Sequence, residues 1–266
     1  MKIVAVLYPG GPAAAETPEL LGCVENALGL RHWVESQGHE LVAISDTEAG
    51  LEAHLPTTDI LIATPFWPAY ITRERIEKAP KLRLLLTAGV GSDHFDLAAS
   101  AERNITVAEI TGSNVVSVAE HVVMQILTLV RNYIPSYIEV TEGGWDIDKV
   151  ASRSHDLEDK YIGIAGMGRI GQRVAARLKP FDVHTSYFDY LHLSTAEEQI
   201  LGARYSHLLP LVQESDVVSI NFPLTPATQG FFDKEMLQSM KKGAYLVNTA
   251  RGRIVDTEAL VEVLES

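Results

Sequence analysis

A chain of 266 residues, at roughly 150 residues per domain, suggests about two domains, and its 46% apolar and 21% charged residues exclude a disordered chain. No apolar run is long enough to span a bilayer, and the lone Cys23 excludes an internal disulfide. With 22 basic against 35 acidic side chains, net −13, and no basic run longer than Lys241-Lys242, the surface repels a phosphate backbone, so neither nucleic acid nor a membrane is an expected partner.

The first apolar run, Lys2 to Leu7, stops at Tyr8-Pro9-Gly10-Gly11. It is too short for a signal-peptide core and reads as a first strand. With no export signal and one thiol, the cytoplasm is the expected location. Further apolar runs at 40–44, 60–63, 83–87 and 105–108 read as strands. Between them, 20–36, 48–54, 72–79 and 96–103 read as helices. Near-continuous apolar strands separated by helices point to a parallel sheet covered on both faces.

Residues 117–132 form the longest helical run, with a capping-box pattern at Ser117-x-x-Glu120 and a stop at Pro135. Residues 133–159 are polar, carry Gly143-Gly144-Trp145, and read as a connecting arm. Strands resume at 161–165, 183–188, 217–221 and 244–248, with helices at 169–178, 208–214, 233–240 and 256–264. The expected fold class is α/β: two Rossmann-like, doubly wound parallel-sheet domains, 1–114 and 115–266, joined by the long helix.

The sharpest motif is Gly166-Met167-Gly168-Arg169-Ile170-Gly171, between the strand 161–165 and an amphipathic helix. In a dinucleotide fold Gly166 permits the tight turn, Gly168 lets the backbone approach a pyrophosphate, and Gly171 lets helix and strand pack closely. The helix N-terminus offers amides and a positive dipole end to the phosphates. Asp189, 18 residues beyond Gly171 and after the next strand, can accept from the adenosine ribose hydroxyls. Its charge opposes a 2′-phosphate, and Tyr190 supplies no cation to offset it. NAD is therefore the expected cofactor. No metal is expected.

Arg251 lies just past the apolar run 244–247, at the carboxyl end of an expected parallel strand, where ligands bind. A guanidinium there can clamp a carboxylate by two parallel hydrogen bonds, or it is a solvated arginine. Asn114, near a helix start, reads most simply as a cap for backbone amides. His94 and His121 carry no catalytic signal of their own. The loop Pro65-Phe66-Trp67-Pro68-Ala69-Tyr70 is either a buried connection or a dry wall beside a small substrate.

These stretches resemble the NAD-dependent formate dehydrogenases, within the D-specific 2-hydroxyacid dehydrogenase superfamily, nearly end to end. The resemblance rests on residues 65–70, Ala88-Gly89-Val90-Gly91-Ser92-Asp93-His94, the run TGSNVVSVAEH at 111–121, Gly166 to Gly171, and Asn248-Thr249-Ala250-Arg251-Gly252. The wording of 111–116 is closest to the fungal enzymes. The resemblance implies a flavodoxin-like substrate domain at 1–114 and an NAD-binding domain at 115–266. It implies that the Val90 backbone amide and the Asn114 side chain bind formate, that Arg251 pairs with its carboxylate, and that Pro65 and Phe66 line the pocket. Asn114 and Arg251 would be the catalytic pair. Arg169 and Ile170 would meet the pyrophosphate and Asp189 the ribose. Pro223, Leu224, Thr225, Pro226 and Ala227, with Thr249 and Arg251, would flank the cofactor. Thr225 stands where the family pattern has a histidine.

The expected reaction is oxidation of formate to carbon dioxide by direct hydride transfer to NAD. A homodimer is also implied, built on the strongly apolar helix 117–132 and the arm. The family places an aspartate, a glutamine and a histidine in segments beyond Ser266. The second domain is therefore expected to be C-terminally incomplete, and residues 1–266 alone nearly inactive. Two other readings stay open. A D-2-hydroxyacid dehydrogenase would need a positioned base and room that the 65–67 loop does not favour. A catalytically silent NAD-binding protein would need only the second domain.

Overall fold

The apolar runs become strands of two separate parallel sheets. The computed structural model describes residues 1–16, 22–65 and 67–266, and the chain divides into two compact units, Met1–Ser113 and Asn114–Ser266.

In the first unit the elements are β1 (Lys2–Val6), α1 (Gly11–Glu16), α2 (Arg31–Ser36), β2 (Glu40–Ile44), α3 (Ala49–His54), β3 (Ile60–Ala63), α4 (Arg73–Glu77), β4 (Leu84–Thr87), α5 (Leu97–Glu102) and β5 (Thr106–Glu109). The strand order is β2-β1-β3-β4-β5, all parallel. Successive side chains of a strand point to opposite faces. Val4 and Val6 therefore enter one core with Leu51, Leu55 and Ile76. Ile3, Ala5 and Leu7 enter another with Ala27 and Val34. A strand buried on both sides has to be apolar throughout, which is why β1 shows no alternation.

Arg75 is the main polar tie in this unit. Its side chain is only 10% exposed. It donates to Glu52 Oε1 (2.9 Å), the Tyr70 carbonyl (2.8 Å), the Thr47 carbonyl (2.9 Å) and Glu48 Oε2 (2.9 Å). Hydrogen bonds from Arg75 and then Lys78 hold the Glu52 carboxyl below its usual range.

The second unit contains α6 (Val115–Val130), α7 (Tyr133–Thr141), α8 (Ile147–Ala151), β6 (Tyr161–Ala165), α9 (Arg169–Leu178), β7 (His184–Phe188), α10 (Thr195–Leu201), β8 (Ala203–Tyr205), α11 (Leu208–Glu214), β9 (Val217–Ile220), α12 (Lys234–Gln238), β10 (Tyr245–Asn248) and α13 (Thr257–Leu264). Its order is β10-β9-β6-β7-β8, again all parallel. Ala119, Val122, Ile126 and Val130 of α6 pack with Val174 and Leu178 of α9 on one face. Leu211, Val212, Leu237 and Ala259 cover the other.

Several sequence expectations need correction. The helix expected at 20–36 is broken: residues 20 and 21 lie outside the described residues, and only Arg31–Ser36 is α-helical after a 3-10 turn at Ala27–Gly29. The Asn26 side chain accepts from the Leu28 amide (3.0 Å), and Ala27 and Leu28 take positive φ values of 50° and 60°. That local bond competes with helix formation. The capping box at Ser117 is absent, because α6 starts two residues earlier. The same Ser-x-x-Glu pattern does form a box at Ser194 and Glu197, at the start of α10. Pro135 does not end a helix. Asn132, at φ 51°, breaks the chain between α6 and α7, and Pro135 sits in the first turn of α7, where proline is tolerated. The arm is thus largely helical. The short strand β8 was not anticipated, since three residues with Arg204 turned outward leave little apolar signal.

The turn between β6 and α9 is the tightest junction of the second unit. A Cβ on Gly171 would sit 2.1 Å from the Gly166 carbonyl oxygen, whereas one on Gly168 would meet nothing within 4 Å. Gly171→Ala is therefore expected to lower stability by about 2 kcal/mol or more through overpacking against backbone. Gly168→Ala should stay within about 0.5 kcal/mol of the parent. Urea unfolding midpoints check this, and equal losses in the two variants would contradict the packing argument.

Candidate active site

In an open parallel sheet, ligands bind past the carboxyl ends of the strands where the strand order reverses. In the second unit that point lies between β6 and β9. The Gly166 amide donates to the Phe188 carbonyl (2.8 Å), and the Asn221 amide donates to the Ala165 carbonyl (2.7 Å). Gly166 has φ +103°, and a Cβ there would lie 2.8 Å from the Asn221 carbonyl carbon. The turn thus needs glycine twice over, for its φ and for its closeness to the end of β9.

Gly168 is the N-cap of the ten-residue α9 and supplies no capping side chain. The first amides of a helix have no intrahelical partner, and Arg169, Ile170 and Gly171 carry them here. Asp189, just beyond β7, leans over this turn. Its Oδ2 accepts from the Met167 amide at 2.7 Å and its Oδ1 from the Leu191 amide at 3.2 Å. The segment behind it is fastened by Tyr187, which is fully buried. The phenol accepts from the Leu193 amide (2.9 Å) and donates to Glu198 Oε1 (3.0 Å). Burial raises its pKa, so it remains a donor.

After β9, Pro223 to Ala227 form a loop closed from within. Thr228, 3% exposed, donates through Oγ1 to the Pro223 carbonyl (2.7 Å) and accepts from the Thr225 amide (2.8 Å). After β10, Asn248 plays a similar part. Its Oδ1 accepts from the Ala250 amide (3.0 Å) and its Nδ2 donates to the Arg251 carbonyl (3.0 Å). The segment carrying Thr249 and Arg251 is held in that clip, with Arg251 extended and half-buried, and its Nη1 donates to the Ala250 carbonyl (3.0 Å). Tyr187, Thr228 and Asn248 were not singled out from sequence. A polar residue at a strand end followed by a short turn was the available signal for Asn248.

Asn114 is the N-cap residue of α6, yet its side chain makes no cap bond. Its Oδ1 is buried and accepts no hydrogen bond among the described residues. The simplest sequence reading, a cap for backbone amides, is thus incorrect. An orphaned buried acceptor typically costs about 1–3 kcal/mol, which is unusual unless a ligand completes it.

In the first unit the loops after β3 and β4 touch. A Cβ on Gly89 would lie 2.9 Å from Pro65 Cδ, so the proline ring rests against the chain immediately before Val90. Thr64 Oγ1 accepts from the Trp67 amide (3.2 Å), and Trp67 Nε1 donates to the Ser45 carbonyl (3.0 Å). Phe66 lies outside the described residues. His94 is buried with its ring 4.0 Å from that of Phe95, and His121 is on the exposed side of α6 near Gln125. Among the described residues no group of three or more His, Cys, Asp or Glu could hold a metal ion.

The open approach at Gly168, the uncapped helix start and the carboxylate over the turn fit a dinucleotide without a 2′-phosphate. Residues 123–266 match the family described as D-isomer specific 2-hydroxyacid dehydrogenase, NAD binding domain. A formate dehydrogenase of Neurospora crassa is 51% identical over 273 residues, spanning all of this chain and 73% of the relative. Among solved structures, a Granulicella m. formate dehydrogenase superposes with a TM-score of 0.95 at 44% identity, covering 100% of this chain and 79% of that one. The NAD-dependent formate dehydrogenase of Staphylococcus aureus, solved with NAD, gives 0.91 at 48% identity, covering 100% and 78%. The chain belongs to the D-isomer-specific 2-hydroxyacid dehydrogenase family and, within it, to the formate dehydrogenases.

Proposed function

We propose that the chain oxidises formate to carbon dioxide, with Val90, Asn114 and Arg251 holding the substrate and the β6–α9 turn holding the cofactor. NAD, when bound, supplies a nicotinamide ring that accepts a hydride. Loss of hydride from the formate carbon gives carbon dioxide directly, with no hydroxyl proton to remove, so no general base is required of the chain. Its residues have to fix the carboxylate and keep water away. The Arg251 guanidinium holds the two oxygens by parallel hydrogen bonds. The Asn114 amide and the Val90 backbone N–H are the further proposed hydrogen-bond donors to them. The apolar Pro65, seated against Gly89, excludes water on its side, which favours turning an anion into a neutral product. At the cofactor end the amides of Arg169 and Ile170 meet the pyrophosphate, Asp189 takes the ribose, and the 223–227 loop and Thr249 flank the nucleotide.

The observation that carries the substrate end is the buried, uncapping Asn114 side chain, whose Oδ1 has no partner among the described residues. An asparagine amide can turn by 180° to present either its donor or its acceptor end. Turned so, its Nδ2 donates to a formate oxygen from the position where Oδ1 now stands without a donor.

The assembly proposed is a homodimer. No side chain of α7 or α8 is buried. Met124, Tyr133, Tyr137, Ile138, Trp145 and Ile147 are all exposed, Trp145 by 78%. Apolar surface of that extent, next to the apolar α6, suits a second copy of the chain. No helix among the described residues is long and apolar enough to cross a membrane. The proposed location is the cytoplasm, where a single buried cysteine outside any disulfide is at home.

Lysine keeps the charge of Arg251 but loses the planar fork. In the full-length protein, Arg251→Lys is expected to lower formate turnover by about 10²-fold or more, with NAD affinity changed only slightly. Steady-state kinetics and a fluorescence titration with NADH check this. Near-parental formate turnover would exclude a direct clamp. Sedimentation equilibrium at micromolar concentration should give twice the chain mass, and a well-folded monomer would contradict the dimer.

A further inference from the structure

Glu109 closes β5, at the carboxyl end of the first sheet. Its carboxylate accepts a hydrogen bond from the Gly91 amide, 18 residues earlier in the chain. Its neighbour Ile110 donates its own amide to the Gly89 carbonyl (3.0 Å) and the Thr87 carbonyl (3.3 Å). Two consecutive residues of β5's end thus grip the chain on both sides of Val90. The Pro65 ring also rests against this loop, its Cδ 2.9 Å from where a Cβ on Gly89 would stand.

The grip matters because of what it restrains. Val90 stands between two glycines, and Gly91 takes φ +96°. A Gly-Val-Gly stretch is close to the most mobile that a chain can contain, since glycine has the largest conformational freedom to lose. Left to itself, such a segment would present the Val90 amide in many directions. A charged acceptor at the end of a strand holds the Val90–Gly91 peptide plane through a strong, charge-assisted bond, and the Ile110 amide on the Gly89 carbonyl holds the Gly89–Val90 plane that carries the Val90 N–H, so the two planes are fixed together.

The choice of an acid is informative. Glu109 is exposed and brings a negative charge against the loop proposed to receive an anion. Repulsion alone would disfavour it there. Its presence is accounted for if the gain from orienting the amide exceeds the repulsion.

We propose that Glu109 is a positioning residue: it pre-orders the Gly89–Gly91 loop so that the Val90 amide is already aimed when formate arrives. This rests on the reading of Val90 as a formate-binding amide. Ordering done before binding is not taken from the binding energy of a three-heavy-atom ligand, which has little to spare. The gain appears in the apparent affinity for formate.

The test compares Glu109→Ala and Glu109→Gln with the parent chain. Glu109→Ala is expected to raise KM for formate about tenfold while KM for NAD and the melting temperature stay near parental. Glu109→Gln keeps an oxygen that accepts from the Gly91 amide, and should recover most of the loss. Hydrogen exchange at the Gly91 amide should be slow in the parent and in Glu109→Gln, and fast in Glu109→Ala. An unchanged or lowered KM for formate in Glu109→Ala would overturn the proposal, as would unchanged exchange at Gly91. Equal impairment of both variants would show that charge, not the tether, matters. Exchange is read without turnover. Failure of the full-length parent to oxidise formate would therefore refute the proposed substrate and leave the tether to be judged by exchange.

Discussion

Helix α9 meets strand β6 where a single methyl group would not fit. The Gly171 α-carbon lies so near the Gly166 carbonyl that an added Cβ would come within 2.1 Å of its oxygen. That approach sets the helix start directly over the strand end, at the place where the order of the sheet reverses. From it follow the open space above Gly168, the position of the first helical amides, and the reach of Asp189 to the Met167 amide at 2.7 Å. The dinucleotide site is therefore a product of packing before it is a product of polar groups. The dipole end of a ten-residue helix then adds its attraction for phosphate.

The substrate side obeys a different economy. Oxidising formate asks for no proton transfer, so its proposed residues are holders rather than acids or bases. Holding is done by backbone and by side chains fixed from behind. Asn248 clips the segment of Arg251, and Glu109 with Ile110 grips the chain around Val90. Orientation is worth most when it is in place before the ligand binds. These supports are short local bonds at the carboxyl ends of strands, where a parallel sheet leaves its loops free to vary.

The parts legible in the sequence were those decided by burial or by a local conformational demand. Strands β2, β3 and β6 and helices α9 and α11 begin and end where the apolar pattern does, because buried backbone leaves no latitude. The Gly166–Gly171 turn was readable because each glycine answers a need within a few residues. The broken helix near Asn26 was not, since one side-chain bond to the Leu28 amide outweighs a weak helical preference there. The arm was misread because α7 and α8 bury nothing within the chain, and so lack the contrast that marks a core helix. Asn114 looked like a helix cap and caps nothing. Glu109 gave no signal at all, because its partner is 18 residues away and is brought to it only by the pairing of β4 with β5.

Direct hydride transfer from formate to NAD in the full-length protein is tested most closely by isotopic labelling. With formate carrying deuterium on carbon, mass spectrometry of the reduced cofactor should show one deuterium per molecule formed, at the nicotinamide C4. Carbon dioxide should appear in equal amount. Reduced cofactor without deuterium, or no formate-dependent reduction while D-lactate is oxidised, would contradict direct transfer from formate.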